Sequence, residues 1–230
     1  MKSNLDTLFI YTTLRCSNRC KECNFDHKND QQTLSLTSIN EVLSKITPKN
    51  IVFSDTDIVL NPEFVDIIHF TKSLCPDSII AIKTDISFLT PDVMLSLKGL
   101  VHEISVVIDT DTFFPKDSSL FVEDTQTVNM IQMANKYFDT VEINLIFTSK
   151  QHTDKATLLS LKLVSDFNIN SLKLTKLLTE EDYTSSKFHE FYTKTQFSHV
   201  GTFEDAIKEK RLSLLPDGKL YTCEKKHFGS

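Results

Sequence analysis

Three cysteines stand within eight residues of one another, Cys16, Cys20 and Cys23, in a C-x3-C-x2-C spacing. Thiolates are soft ligands that suit iron–sulfur clusters and zinc. Three of them can hold three corners of a 4Fe–4S cube and leave the fourth iron open. Arg15, Arg19 and Lys21 flank the triplet, and positive neighbours favour thiolate over thiol. Two plainer readings stand beside this one: a chance triplet, or a structural zinc site with His27 as fourth ligand. Structural zinc usually draws its ligands from two pairs, and no second pair follows.

The other reactive side chains are more scattered. Cys75 sits in Leu74-Cys75-Pro76 at an expected helix end and reads as a buried structural residue. Cys223 closes the segment Leu214–Cys223 (LLPDGKLYTC), with Gly218 five residues before it. The seven histidines form no H-x3-H pair. Asp109-Thr110-Asp111 has the look of a metal-binding acid pair, but at a strand end it equally forms a turn. Phe113-Phe114 is a candidate edge for a substrate pocket. No side chain is assigned as a catalytic acid or base.

Only four glycines occur, Gly99, Gly201, Gly218 and Gly229, so no glycine-rich phosphate loop of the P-loop or dinucleotide type is present. With 230 residues, 40% of them hydrophobic, the chain can close a substantial core as one domain or at most two. A formal net charge of −6 and the lack of a long Lys/Arg run argue against a nucleic-acid partner. No apolar stretch approaches the roughly 18–20 residues of a membrane span. The N-terminus carries no secretory signal pattern. A cytoplasmic protein is expected, and clustered cysteines in a reducing compartment read as metal or redox chemistry.

The elements that must position the triplet alternate in type. Leu8–Thr13, Ile51–Ser54, Ile79–Lys83, Ile104–Ile108, Val141–Phe147 and Ser171–Leu177 are short, β-branched and bounded by polar turns, and read as strands. Between them lie helix signals. Ser38 and Glu41 suggest a capping box before a Val42–Ile46 stripe. Asn61-Pro62-Glu63 reads as cap, first-turn proline and acid, and Thr90-Pro91-Asp92 repeats the device with Gly99 to end that helix. Further helices are expected near 124–137, 154–166 and 180–193, and a hairpin around Pro216-Asp217-Gly218. Six strands, each followed by a helix, imply a parallel α/β sheet, open or closed into a barrel, with ligands at the carboxyl ends of the strands. The triplet falls in the loop after the first strand.

With this spacing in this loop, the sequence resembles the radical S-adenosylmethionine (radical SAM) superfamily. The resemblance continues through Ile51–Phe64 (IVFSDTDIVLNPEF), which is similar to the family's second strand, glycine-rich turn and helix. The usual Gly-Gly-Glu-Pro is replaced by Asp55-Thr56-Asp57-Ile58, while Leu60-Asn61-Pro62-Glu63-Phe64 stays close to the pattern. Lys83-Thr84-Asp85 lies where the family often shows Thr-Asn-Gly, and Val101–Asp109 is close to its fourth strand. Leu214–Cys223 resembles part of the SPASM extension, although the other cysteines of that pattern are missing. Three readings of Cys223 stand: a vestige in a packing hairpin, part of a longer protein, or a residue that ligates or reacts with a histidine such as His199 or His227.

The resemblance implies a partial (β/α)6 TIM-like barrel over residues 1–200 and a short SPASM-like extension over residues 201–230. It implies a 4Fe–4S cluster on Cys16, Cys20 and Cys23, with S-adenosylmethionine on the open iron. Asp57 would contact the methionine amine, and Thr84, Ser105, Asp109 and Asn144 would contact the methionine carboxylate or the ribose. One electron from the cluster would cleave S-adenosylmethionine to a 5′-deoxyadenosyl radical that abstracts hydrogen from a substrate. A flavodoxin- or ferredoxin-like electron donor is expected. The SPASM-like segment favours a ribosomally made peptide as substrate. A carbohydrate or small metabolite is the alternative. A non-catalytic iron–sulfur scaffold or binding protein is the reading that the altered glycine turn suggests.

Overall fold

A computed structural model describes residues 2–15, 32–54, 60–109, 125–147, 171–176, 193–199 and 211–227. In chain order the elements are β1 (Ser3–Ile10), α1 (Leu36–Leu43), β2 (Ile46–Phe53), α2 (Phe64–Leu74), β3 (Ile79–Asp85), α3 (Pro91–Leu97), β4 (Glu103–Asp109), α4 (Thr125–Tyr137), β5 (Thr140–Phe147), β6 (Ser171–Lys176), β7 (Thr193–His199), β8 (Arg211–Leu214) and β9 (Leu220–His227). A single 3-10 turn, Ile86–Phe88, follows β3. The architecture is α/β, as the alternation of strands and helices predicts. The chain divides into two compact units, Met1–Lys83 with His189–Ser230, and Thr84–Phe188.

In the first unit the strand order is β3-β2-β1-β8-β9-β7. β1 runs parallel to both β2 and β8, and β2 runs parallel to β3. β9 turns back antiparallel to β8 and β7. The register places Leu8 and Ile10 beside Ile51 and Phe53, and these beside Ile80 and Ile82. Leu212 and Leu214 extend the row on the other side. All eight are essentially unexposed. Helices cover this face. Phe53 meets Phe64 of α2 edge-on at a centroid distance of 5.9 Å, and Ile39, Leu43, Ile67 and Ile68 are buried from the helical side. Burying each such side chain contributes about 1.5–3 kcal/mol, so this layer fixes where the strand ends point.

Several boundaries differ from the sequence expectation. β1 starts at Ser3 and stops at Ile10 rather than spanning Leu8–Thr13. β2 starts at Ile46, with Pro48 inside it opposite Leu5. Ile46 therefore belongs to a strand and not to the helical stripe. α1 is capped by Ser35, whose Oγ accepts from the Ser38 N–H at 3.1 Å. Ser38 is thus an N3 residue and not the cap. Thr90 caps α3 as expected, accepting from Val93 N–H at 3.3 Å with Pro91 at the first helical position. Gly99, at φ +77°, ends it.

The hairpin at Pro216-Asp217-Gly218 forms between β8 and β9, with Gly218 at φ +76°. Its Gly218 N–H donates to Leu215 O at 2.9 Å. A Cβ on Gly218 would lie 2.9 Å from Ser38 Oγ, so the hairpin tip rests against the first turn of α1. The helix expected near 154–166 lies outside the described residues. So does the one near 180–193, apart from Thr193, which opens β7.

In the second unit β4, β5 and β6 are parallel neighbours. Ile104, Val106, Ile108, Val141 and Ile143 are buried. On α4, Ile131 and Ala134 are buried, as is Phe138 just after the helix. Three- and four-residue spacing puts such positions on one helical face.

Candidate functional site

β1 ends at a fixed point. The Ser54 N–H donates to Ile10 O at 3.0 Å, and the Tyr11 N–H donates to Leu214 O at 2.9 Å. The carboxyl ends of β2, β1 and β8 are therefore tied in one row. Thr12 and Thr13 follow, 0% and 2% exposed. After Arg15 the chain is next described at Gln32 and returns to the same place. Thr13 and Thr33 form an antiparallel bridge, and the Leu34 N–H donates to Thr12 O at 2.7 Å. The Arg15 N–H donates to Thr13 Oγ1 at 3.1 Å. Cys16, Cys20, Cys23 and His27 lie outside the described residues, but the described residues on either side of them sit at the carboxyl end of β1. A soft, three-thiolate donor set between these two anchored ends fits a cluster with one open iron.

Asp57 also lies outside the described residues, between β2 and α2 in the chain. The described residues on both sides of it are anchored. Ser54 bonds to Ile10 as above. On the other side Asn61 is 2% exposed, and its Oδ1 accepts from the Glu63 N–H at 3.0 Å. Its Nδ2 points to Thr12 O at 3.4 Å. The Phe64 N–H donates to Asn61 O at 3.1 Å. This tight turn corrects the expected cap: Asn61, Pro62 and Glu63 precede the helix, and α2 begins at Phe64 with Glu63 as its N-cap.

Four further candidate residues fall in the second unit. Ser105 Oγ donates to Glu142 Oε1 at 2.7 Å. Register pairs Ser105 with Glu142 and Val107 with Asn144, so Ser105, Glu142 and Asn144 share a half-buried face. The buried Ile104, Val106, Val141 and Ile143 occupy the alternate positions. Asp109 pairs with Ile146 further along the same ladder. Thr84 is 1% exposed and alternates in phase with the buried Ile80 and Ile82 of its strand. Ser105 and Asn144 thus share one face of the β4–β5 pair. Glu142 was missed by sequence reasoning. The signal was there: in Val-Glu-Ile-Asn-Leu the polar residues alternate strictly with apolar ones, which in a strand marks one open face.

The other two cysteines fall within the described residues. Cys75 is 2% exposed, and burial pushes its thiol above the ordinary range. A neutral buried thiol is a poor ligand. Cys223 stands on β9 opposite Phe197. Because β9 is antiparallel to β8, which is parallel to β1, it runs from Leu220 away from the end of β1 where the cysteine loop leaves. Two buried side-chain oxygens in the first unit lack a hydrogen-bond partner among the described residues: Thr71 Oγ1 on α2, and Ser213 Oγ on β8 at the position opposite Phe9. Among the described residues no helix is long and apolar enough to cross a membrane.

No protein-family model and no curated protein sequence matches the chain. Solved structures do. Methylornithine synthase (PylB) is 16% identical with a TM-score of 0.55, the match covering 78% of this chain and 55% of that one. The radical S-adenosylmethionine methyltransferase TsrM from Kitasatospora setae, with cobalamin and a [4Fe-4S] cluster bound, is 10% identical with a TM-score of 0.54, covering 87% and 43%. The enzyme anSMEcpe, with bound AdoMet, is 14% identical with a TM-score of 0.53, covering 75% and 51%. The chain thus spans about half the length of these proteins. At such identities the likeness shows the fold alone, a partial TIM-like α/β core.

Proposed function

We propose that the chain is a radical SAM enzyme in which Cys16, Cys20 and Cys23 hold a 4Fe–4S cluster and S-adenosylmethionine binds its open iron. The observation that carries this reading is the C-x3-C-x2-C triplet on a loop whose neck is closed at the carboxyl end of β1, in this fold. When bound, the cluster would supply the electron that splits S-adenosylmethionine into methionine and the 5′-deoxyadenosyl radical, which takes a hydrogen atom from the substrate.

The chain's own residues supply ligation and orientation. Arg15, Arg19 and Lys21 favour the thiolate form that ligation requires. Asp57 accepts a hydrogen bond from the methionine amine. Ser105 and Asn144, with Glu142 between them on the same face, offer hydrogen bonds to the methionine carboxylate or the ribose, as do Thr84 and Asp109. A flavodoxin- or ferredoxin-like protein delivers the electron.

For the substrate, Gly218-x4-Cys223 favours a ribosomally made peptide, through its likeness to a SPASM segment. A carbohydrate or small metabolite is the competing class. Asp55-Thr56-Asp57, which lacks the glycines that reach φ > 0 freely, favours the second reading, a scaffold that keeps a cluster without cleaving S-adenosylmethionine. Anaerobic reconstitution, reduction and quantification of 5′-deoxyadenosine separate the two. Release of 5′-deoxyadenosine by the wild type supports the enzyme. A loaded cluster that leaves S-adenosylmethionine intact supports the scaffold.

A further inference from the structure

β8 is buried on both faces. Leu212 and Leu214 stand unexposed in register with Leu8 and Ile10, under the helices. Ser213, between them, lies on the opposite face of the sheet, and it too is only 1% exposed. Pairing sets Phe9 on one side of it and Tyr221 on the other, with Val52 beyond Phe9. Directly paired positions stand about 5 Å apart, so the hydroxyl falls between two aromatic residues in one row. Phe9, Val52 and Ser213 are the last residues on this face of β1, β2 and β8. That is the end of a parallel sheet where ligands collect. Backbone bonds fix it: Tyr11 N–H donates to Leu214 O at 2.9 Å, and Ser54 N–H to Ile10 O at 3.0 Å.

Ser213 Oγ has no hydrogen-bond partner among the described residues. A buried hydroxyl left unbonded destabilises its own fold, and alanine at this position would avoid the penalty. Tyr221 does not relieve it, because its hydroxyl donates to Asp217 Oδ2 at 2.6 Å. The other unbonded hydroxyl, Thr71 Oγ1, lies on α2. There a threonine also brings a methyl group to the helical layer, which serine does not bring to β8.

We propose that Phe9, Ser213 and Tyr221 form a binding subsite for a flat, uncharged ring with one hydrogen-bonding atom. Ser213 Oγ is the anchor and the two aromatic side chains are the walls. Apolar walls with one placed polar group are the usual make-up of a small-molecule site, and aromatic neighbours pack well on a ring. A charged group is disfavoured, since a neutral hydroxyl does not compensate for lost hydration. Phe9 and Tyr221 are half-buried, and a rotamer change of either opens the hydroxyl to the ligand. Assigning the ring to the substrate rests on the function proposed above; the binding itself does not.

Phenol and toluene, which differ by one hydroxyl, are the probes. The full chain, without added iron or S-adenosylmethionine, is titrated with each while backbone amide resonances are followed. Phenol should shift the amides of residues 8–10, 212–214 and 220–222. Its half-saturation should fall about threefold to tenfold below that of toluene, the effect of one neutral hydrogen bond. Ser213→Ala should bind both probes alike, while Tyr221→Phe, which keeps the ring, retains the preference for phenol. In urea unfolding without a probe, the midpoint of Ser213→Ala should equal or exceed that of the wild type.

The subsite is overturned if neither probe shifts those amides, if the wild type binds both alike, or if Ser213→Ala keeps the preference. A lower urea midpoint for Ser213→Ala overturns it as well, because the hydroxyl is then bonded within the fold. None of these results touches the proposed function, which stands or falls on the 5′-deoxyadenosine assay. If that assay fails while phenol binds as expected, the subsite stands and its ring belongs to another ligand.

Discussion

The Ser105–Glu142 pair lends itself to a double-mutant cycle. The hydroxyl lies 2.7 Å from the carboxylate oxygen on adjacent, directly paired positions of β4 and β5. A hydrogen bond to a carboxylate contributes about 1.5–3 kcal/mol when fully buried. Both residues are only half-buried, and water can replace part of the interaction in either single variant. The coupling should therefore fall below that range, at about 1 kcal/mol. Ser105→Ala and Glu142→Ala are each expected to destabilise by about 1 kcal/mol. The double variant should lose about 1 kcal/mol less than the sum. Urea unfolding followed by far-ultraviolet circular dichroism is the assay, since the chain has no tryptophan to report. Additivity within about 0.3 kcal/mol would show that the two groups do not interact in solution, and the shared polar face would lose its best-defined contact.

Three other outcomes follow from the first unit. Phe53→Ala removes an unexposed ring in edge contact with Phe64 and should cost about 3–5 kcal/mol in chemical unfolding, with Phe53→Leu costing clearly less. Gly218→Ala meets both a φ of +76° and Ser38 Oγ; a loss of about 1–2 kcal/mol is expected, of which Ser38→Gly should restore only the steric part, as thermal unfolding of the pair would show. Tyr221 donates to Asp217 Oδ2 at 2.6 Å, and burial followed by the Asp217 contacts pushes its hydroxyl up to about 12. Raised above the unfolded value of about 10, the group contributes stability that is complete below pH 10 and is lost as pH rises towards 12. Tyr221→Phe should flatten that part of the stability-versus-pH curve.

The elements legible in the sequence are those built from local signals. Four runs give β3, β4, β5 and β6 to within a few residues: apolar stretches mark β3 and β4, and strict alternation of apolar with polar residues marks β5 and β6. Thr90-Pro91 and Gly99 bound α3, and Gly218 marks the hairpin, because each rests on a backbone preference of one residue. What the sequence hid depends on distant partners. Arg211–Leu214 is four residues long and becomes a strand beside β1 only through pairing some two hundred residues apart in the chain. Thr193–His199 has no apolar alternation and owes its extended form to β9. Asn4 and Asp6 mask the start of β1, and Pro48, which has no N–H to donate, masks the start of β2.

The candidate site divides the same way. The cysteine spacing is a local signal and stands out at once. The sharing of the Thr12 oxygen by Leu34 and Asn61 is a tertiary fact that no spacing records. Glu142 lies between: its alternation with Val141 and Ile143 is readable, but its partner Ser105 is known only from the ladder.

The measurement that bears most directly on the central claim is anaerobic reconstitution with iron and sulfide, then reduction and a 5′-deoxyadenosine assay with S-adenosylmethionine. A Cys16→Ala, Cys20→Ala, Cys23→Ala variant serves as the control. The wild type is predicted to bind about four irons per chain and to release 5′-deoxyadenosine, while the triple variant does neither. A wild type that takes up zinc in place of a cluster, or forms no cluster at all, would contradict the account.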